Sequence, residues 1–167
     1  MTTLLAAPRC EVRLDSPIGT LVLGGDDEVL RHIRLPIPQR APRSLPWAGE
    51  VDLPDAVAAT VVQLEEYFAG ARHRFDLPMA LEGTAFQRDV WLALADIPWG
   101  HTISYAELAE AVGRPTAFRA VGQANGANPI PIVLPCHRVL ASGGRIGGFG
   151  GGLPMKRQLL ALEGVEV

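Results

Sequence analysis

Two stretches of this chain forbid regular secondary structure, and they confine everything else to short pieces. Residues 36–54 carry Pro36, Pro38, Pro42, Pro46 and Pro54. Proline lacks a backbone N–H and fixes φ, so neither a helix interior nor a strand ladder runs through this stretch. Residues 143–152 carry seven glycines. That run reads as backbone that bends tightly or approaches a neighbour closely. A phosphate cradle is disfavoured, because neither the GxGxxG spacing between strand and helix nor a following Lys-Ser or Lys-Thr is present.

Before the proline stretch the pattern is that of strands. Residues 10–15 alternate, SPIG turns, 20–24 are apolar, and GDDE turns back into 29–35. These signals predict a meander of hairpins. Asp55 to Ala69 places Val57, Val61, Leu64 and Phe68 on one helical face, with Gly70 as a stop. Tyr67 and Phe68 read as core packing. A connector follows over 72–83. Then the character changes. Thr84 caps a helix bearing Phe86, Val90, Trp91 and Leu94, and Ser104 with Glu107 forms a capping box for the next. Pro115 opens a third helix over 116–125. Two short helices joined by a Gly-containing turn make a helix-turn-helix pattern. Residues 128–135 read as extended, and 154–162 as a last short helix stopped by Gly164.

Composition excludes several classes. With 167 residues and 48% hydrophobic content, the chain fits one large domain or two small ones, not a disordered segment or a coiled coil. No apolar run approaches the roughly 18 residues that a membrane span needs. The start, MTTLLAAPRC, lacks the basic region of a secretory signal, so a cytoplasmic protein without membrane contact is expected. The net charge of −3 argues against nucleic acid only as a whole-chain number. Residues 1–82 hold 8 Arg against 12 Asp and Glu, whereas 97–162 hold five Arg and one Lys against two Glu. That asymmetry points to a polyanion partner for the later half.

The chemistry lies in Pro135-Cys136-His137-Arg138. A thiol needs deprotonation before it attacks, and a neighbouring imidazole or helix N-terminus lowers its pKa. Cys136 and His137 with an orienting acid make a nucleophile–base–orienter relay, and Glu163 at the end of the last helix is the natural acid. The alternative is that Cys136 is a small buried hydrophobe.

The order and spacing of Thr84-Ala85-Phe86-Gln87, Val90-Trp91, Ile97-Pro98-Trp99-Gly100, Ser104-Tyr105, Arg119-Ala120-Val121-Gly122, Ala124-Asn125, Asn128-Pro129, Pro135-Cys136-His137-Arg138-Val139 and Gly151-Gly152-Leu153 resemble the O6-alkylguanine-DNA alkyltransferases. The resemblance covers roughly 84–164. It implies an α/β (α+β) protein with a ribonuclease-H-like N-terminal domain over 1–78. A winged-helix-like C-terminal domain with the helix-turn-helix would follow over 79–167. It implies a monomer that binds the minor groove of double-stranded DNA containing O6-alkylguanine, flips the base, and transfers the alkyl group irreversibly to cysteine. No cofactor is implied.

Residue by residue, the resemblance makes Cys136 the nucleophile, His137 the base through a water, and Glu163 the group that holds the imidazole. Asn128 supports this network and its turn, and Tyr105 donates to guanine N3. Arg119 fills the space left by the flipped base; on its own it would read as a surface salt-bridge partner. Ala117, Ala120, Gly122, Ala124, Asn125 and Gly126 form the close-approaching DNA-binding helix. Pro131 packs on the base, Val139 offers a backbone carbonyl, and Phe149 and Gly150 stand where many relatives carry Tyr and some Ser. Cys10 and His32 are too few for the zinc site of some relatives, so no metal is expected. The competing readings are an alkyltransferase-like protein that binds the lesion without transfer, a Cys-His-Glu hydrolase, and a transcription regulator.

Overall fold

The computed structural model describes residues 10–37 and 44–167. Pro38, Pro42 and the first nine residues therefore lie outside the described residues. Strands β1 (Cys10–Leu14), β2 (Leu21–Gly25) and β3 (Leu30–Arg34) form an antiparallel meander. The register pairs Val12 with Leu23 and Leu23 with Ile33, so these apolar residues share the core face. At Gly24 the sheet has no room for a side chain, since a Cβ would lie 2.0 Å from the His32 ring. Helix α1 (Asp55–Phe68) covers the sheet with Ala56, Val57 and Leu64 buried. The expected strands and helix are all present, within a residue or two of their predicted ends.

The sheet is tied to the rest of the chain through β3. Leu30 N donates to Pro78 O, Ala80 N donates to Leu30 O, and Ile33 N donates to Pro129 O. Strand-like bonding thus reaches two residues beyond position 78.

The later half is helical. Helix α2 (Ala85–Leu94) starts at a reciprocal cap: Gln87 N donates to Thr84 Oγ1 and Thr84 N donates to Gln87 Oε1. Strand β4 (Ile103–Ser104) leads into α3 (Tyr105–Ala111), capped in the same way by Ser104 and Glu107. Each such cap satisfies two backbone donors that a helix start would otherwise leave free. Helix α4 (Phe118–Gly126) completes the helix-turn-helix, and Trp91 Nε1 donates to Ala124 O to lock α2 against it. Strand β5 (Val139–Leu140) pairs in parallel with β4, and α5 (Leu153–Leu162) closes the fold.

One segment departs from expectation. Residues 128–135 form a compact turn instead of an extended run. Leu134 N donates to Ile130 O across it, and Ile132 sits at φ 75°. A β-branched residue in that region is strained, so the surroundings must hold it there. Asn128 does so from both ends: it accepts from Ile130 N and donates to Leu134 O.

Candidate active site

Cys136 begins a short 3-10 turn, Cys136–Arg138, immediately after the strained loop. The turn directs three consecutive side chains into the interior: Cys136 is 6% exposed and His137 fully buried. His137 Nε2 lies 2.8 Å from Glu163 Oε1, and Glu163 is the C-cap of α5. With the Nε2 proton directed at the carboxylate, Nδ1 keeps its lone pair, and it has no hydrogen-bond partner among the described residues.

Glu163 is the hub of this cluster. Its Oε1 accepts from His137, from Arg138 Nη2 at 2.9 Å and from the Tyr67 hydroxyl at 2.8 Å, and Oε2 accepts from Arg138 Nε at 2.9 Å. Burial works to raise its pKa, but the bonds and charges of His137 and Arg138 outweigh it and hold the carboxyl down to about 2. Arg138 is anchored further by Nη1 donating to Ile97 O. Lys156 Nζ donates to Val139 O at 2.7 Å and Gly148 O at 3.2 Å, and burial brings it down to about 8.

The thiol differs from expectation. Burial pushes Cys136 up to about 11, although an Asn128 hydrogen bond and the Lys156 charge pull the other way. The resting group is a neutral thiol. Burial likewise lowers His137, so the imidazole is neutral too and its Nδ1 is able to accept a proton.

In front of Cys136 is a cavity of about 510 Å³. Of the residues expected at the reacting site, Tyr105, Asn128, Pro131, Phe149 and Gly150 line it together with Cys136, and Gly122 and Asn125 of the expected DNA-binding helix join them. Burial raises the Tyr105 hydroxyl, so it remains a donor, although the neighbouring Asn125 side chain pulls the other way. Gly122 of α4 lies beside the Tyr105 ring, which a Cβ there would meet at an ordinary contact distance of 3.8 Å. Arg119 and Ala120 are exposed on α4, Ala117 is half-buried at its start, and Gly126 is exposed at its end. Arg119 makes no ion pair among the described residues, unlike the salt-bridge alternative weighed for it.

Three placements correct the expectations. Ala124 is 3% exposed and faces α2 through Trp91, so its side chain is core and not DNA-facing. Asn125 is 5% exposed and turned into the cavity, where Nδ2 lies 3.5 Å from Cys136 O. Val139 is not part of the cavity lining; it is held in β5 with its carbonyl bonded to Lys156. Four contributors were missed. Arg138 stands inside the quoted motif, and a charge between two buried apolar runs was a usable signal. Lys156, the single lysine, Tyr67, and the Ile33–Ile37 wall of the cavity come from contacts distant in sequence.

The profile of the 6-O-methylguanine DNA methyltransferase DNA binding domain matches residues 85–165, and that of its ribonuclease-like domain matches 11–81. The chain belongs to this methyltransferase family. A methylated-DNA–protein-cysteine methyltransferase from Mycolicibacterium paratuberculosis is 51% identical over 150 residues, covering 90% of this chain and 89% of that protein. The Mycobacterium leprae protein of the same name is 47% identical over 154 residues, covering 92% of each. Among solved structures, OGT of Mycobacterium tuberculosis in complex with DNA superposes with a TM-score of 0.80 at 46% identity, covering 92% of this chain and 91% of that one. The methyltransferase fold is thus a mixed helix and sheet structure with an N-terminal ribonuclease-like domain and a C-terminal DNA-binding domain.

Proposed function

We infer that this protein repairs O6-alkylguanine in double-stranded DNA by moving the alkyl group irreversibly onto Cys136, once per molecule. The observation that carries the reading is a buried Cys136 thiol at the base of a cavity under a helix-turn-helix, backed by His137 and Glu163. The relatives' name and the DNA complex of the M. tuberculosis protein support it. We divide the protein at 78/79 and assign it to the cytoplasm as a monomer; no described helix is long and apolar enough to cross a membrane.

The mechanism follows from the geometry. The alkyl carbon on guanine O6 is out of reach inside the stack, so the base must leave the helix and enter the cavity. Arg119, exposed at the second position of α4, fills the gap it leaves. Ala117, Ala120 and Gly122 keep the helix surface low enough for close approach to the minor groove. In the cavity Pro131 and Phe149 flank the base, and the Gly150 N–H faces O6. Asn125 and Asn128 support the turn that carries the thiol. The Cys136 proton passes to His137 Nδ1 through a water. Sγ then attacks the alkyl carbon in line, and the carbon–O6 bond breaks as the carbon–sulfur bond forms. The electron pair goes to the guanine ring, where the Tyr105 hydroxyl donates to N3. Glu163 carries the developing imidazolium charge. Nothing in the site removes an alkyl group from a thioether, so turnover ends there.

The test is the mass of the protein after incubation with a duplex holding one O6-methylguanine. One methyl is gained, on the peptide with Cys136, and none in Cys136→Ala. Catalytic turnover points to a hydrolase, and unmodified protein left bound to the duplex points to a lesion binder.

A further inference from the structure

The Glu163 carboxylate accepts four hydrogen bonds, and one comes from the other half of the chain. The Tyr67 hydroxyl on α1 donates to Oε1 at 2.8 Å across 96 positions of sequence. Tyr67 is fully buried. Its ring is held by Phe68, Phe75 and Trp99, with centroids 5.2, 5.4 and 5.3 Å away. Such a cage fixes where the hydroxyl points. Burial and the adjacent carboxylate raise the hydroxyl's pKa far above its usual value, so it stays protonated and donates.

The oxygen that Tyr67 bonds is the one His137 bonds, also at 2.8 Å. A donor to Oε1 draws negative charge away from the imidazole beside it, whereas an unmet carboxylate would hold the imidazolium more strongly. The other groups facing His137 are Arg138 and Lys156, both opposing its protonation, and the neutral Cys136 thiol. His73 stacks on Trp99 with 4.1 Å between centroids.

We propose that Tyr67 is a positioning residue of the alkyl-transfer site, through which the N-terminal domain orients Glu163 and keeps His137 free to accept the Cys136 proton. The inference rests on the reading of His137 as proton acceptor. It makes the N-terminal domain part of the reactive machinery, although it brings no group to the substrate at this point.

The test uses the full chain with Tyr67→Phe, which keeps the ring and removes only the donor. The His137 ring is titrated by NMR without DNA, and single-turnover transfer is measured against pH. The His137 midpoint rises by about half a pH unit or more, and the acid limb of the rate profile moves up with it. On that limb transfer slows about threefold per half unit, with unchanged duplex affinity. Phe75→Leu loosens the same cage but keeps the hydroxyl, so it lowers the melting temperature and leaves the midpoint in place. Fluorotyrosine at position 67 is a stronger donor and moves the midpoint the opposite way, which keeps the test available if Phe impairs folding. An unmoved midpoint in Tyr67→Phe and with fluorotyrosine, or an equal shift in Phe75→Leu, overturns the proposal. A midpoint that moves without the rate limb upholds the Tyr67 link and defeats the role of His137 as base.

Discussion

The two sides of Cys136 are built on opposite principles. Behind it, Glu163, His137, Arg138, Tyr67 and Lys156 form a buried polar cluster in which a single carboxylate accepts four hydrogen bonds. In front, the cavity is walled by Pro131, Phe149, Tyr105 and the glycines, and no acidic residue lines it among the described residues. Low dielectric strengthens every interaction of the rear cluster and makes any unpaired member costly. The front has little to lose, so it can exchange solvent for a base. The contrast teaches that reactivity is set from inside the protein, while the DNA side is left to shape and a few donors.

The largest break in that contrast is Glu163→Gln. It leaves Arg138 buried without its counter-charge, and removing one partner of a buried pair costs about 3–5 kcal/mol. Transfer is lost as well, because the imidazolium has no carboxylate to rest on. Chemical denaturation and the methyl-transfer assay read the two effects separately. Acid probes the same contact without mutation. Glu163 has a folded pKa near 2 against an ordinary value of 4.5, so its contribution is complete above pH 4.5. It is lost as the pH falls from 4.5 toward 2, about 3 kcal/mol in all. Glu163→Gln should show none of that particular loss when stability is followed across the window.

The reacting residues of the rear were legible in the sequence, whereas its anchors and parts of the front wall were not. Thr84 with Gln87 and Ser104 with Glu107 announce helix starts because caps act within four residues. Cys136, His137 and Glu163 were legible because nucleophile, base and acid are chemical types with few other uses in combination. The turn at 128–135 was misread because prolines favour extended backbone, whereas the Asn128 side chain bonds at both ends and over-rules them. Ala124 and Asn125 were assigned to the outer face because small and polar residues suit a DNA-facing helix. Which face is outward is decided by the Trp91 contact and by the cavity, neither of which is local. Tyr67 had no local signal at all: an aromatic on the apolar side of a helix looks like core until its partner, 96 residues away, is known.

A smaller effect separates rear from front at the thiol itself. With Cys136 near 11, its thiolate fraction at pH 7.5 is several hundredfold below that of a free thiol near 8.5. The greater nucleophilicity of a more basic thiolate recovers about tenfold. Iodoacetamide should therefore label Cys136 about 20-fold or more slowly than free cysteine at pH 7.5, with the rate rising through pH 10. Peptide mapping in a Cys10→Ser background reads this directly. Rapid labelling at neutral pH would mean that the rear cluster ionises the thiol before substrate arrives.

The smallest effect on the fold, and the one that isolates the front, is Arg119→Ala. Arg119 is exposed and unpaired among the described residues, so no described contact depends on its charge. Stability should change by no more than about 0.5 kcal/mol, as for surface substitutions generally. Transfer to O6-methylguanine in a duplex should slow by about tenfold, because the gap left by the base is no longer filled and the flipped state loses occupancy. Free O6-methylguanine base needs no flipping, so its slow reaction with Cys136 should be the same in both proteins. A loss that is equal for duplex and free base would place Arg119 in the chemistry of the rear instead of the handling of DNA at the front.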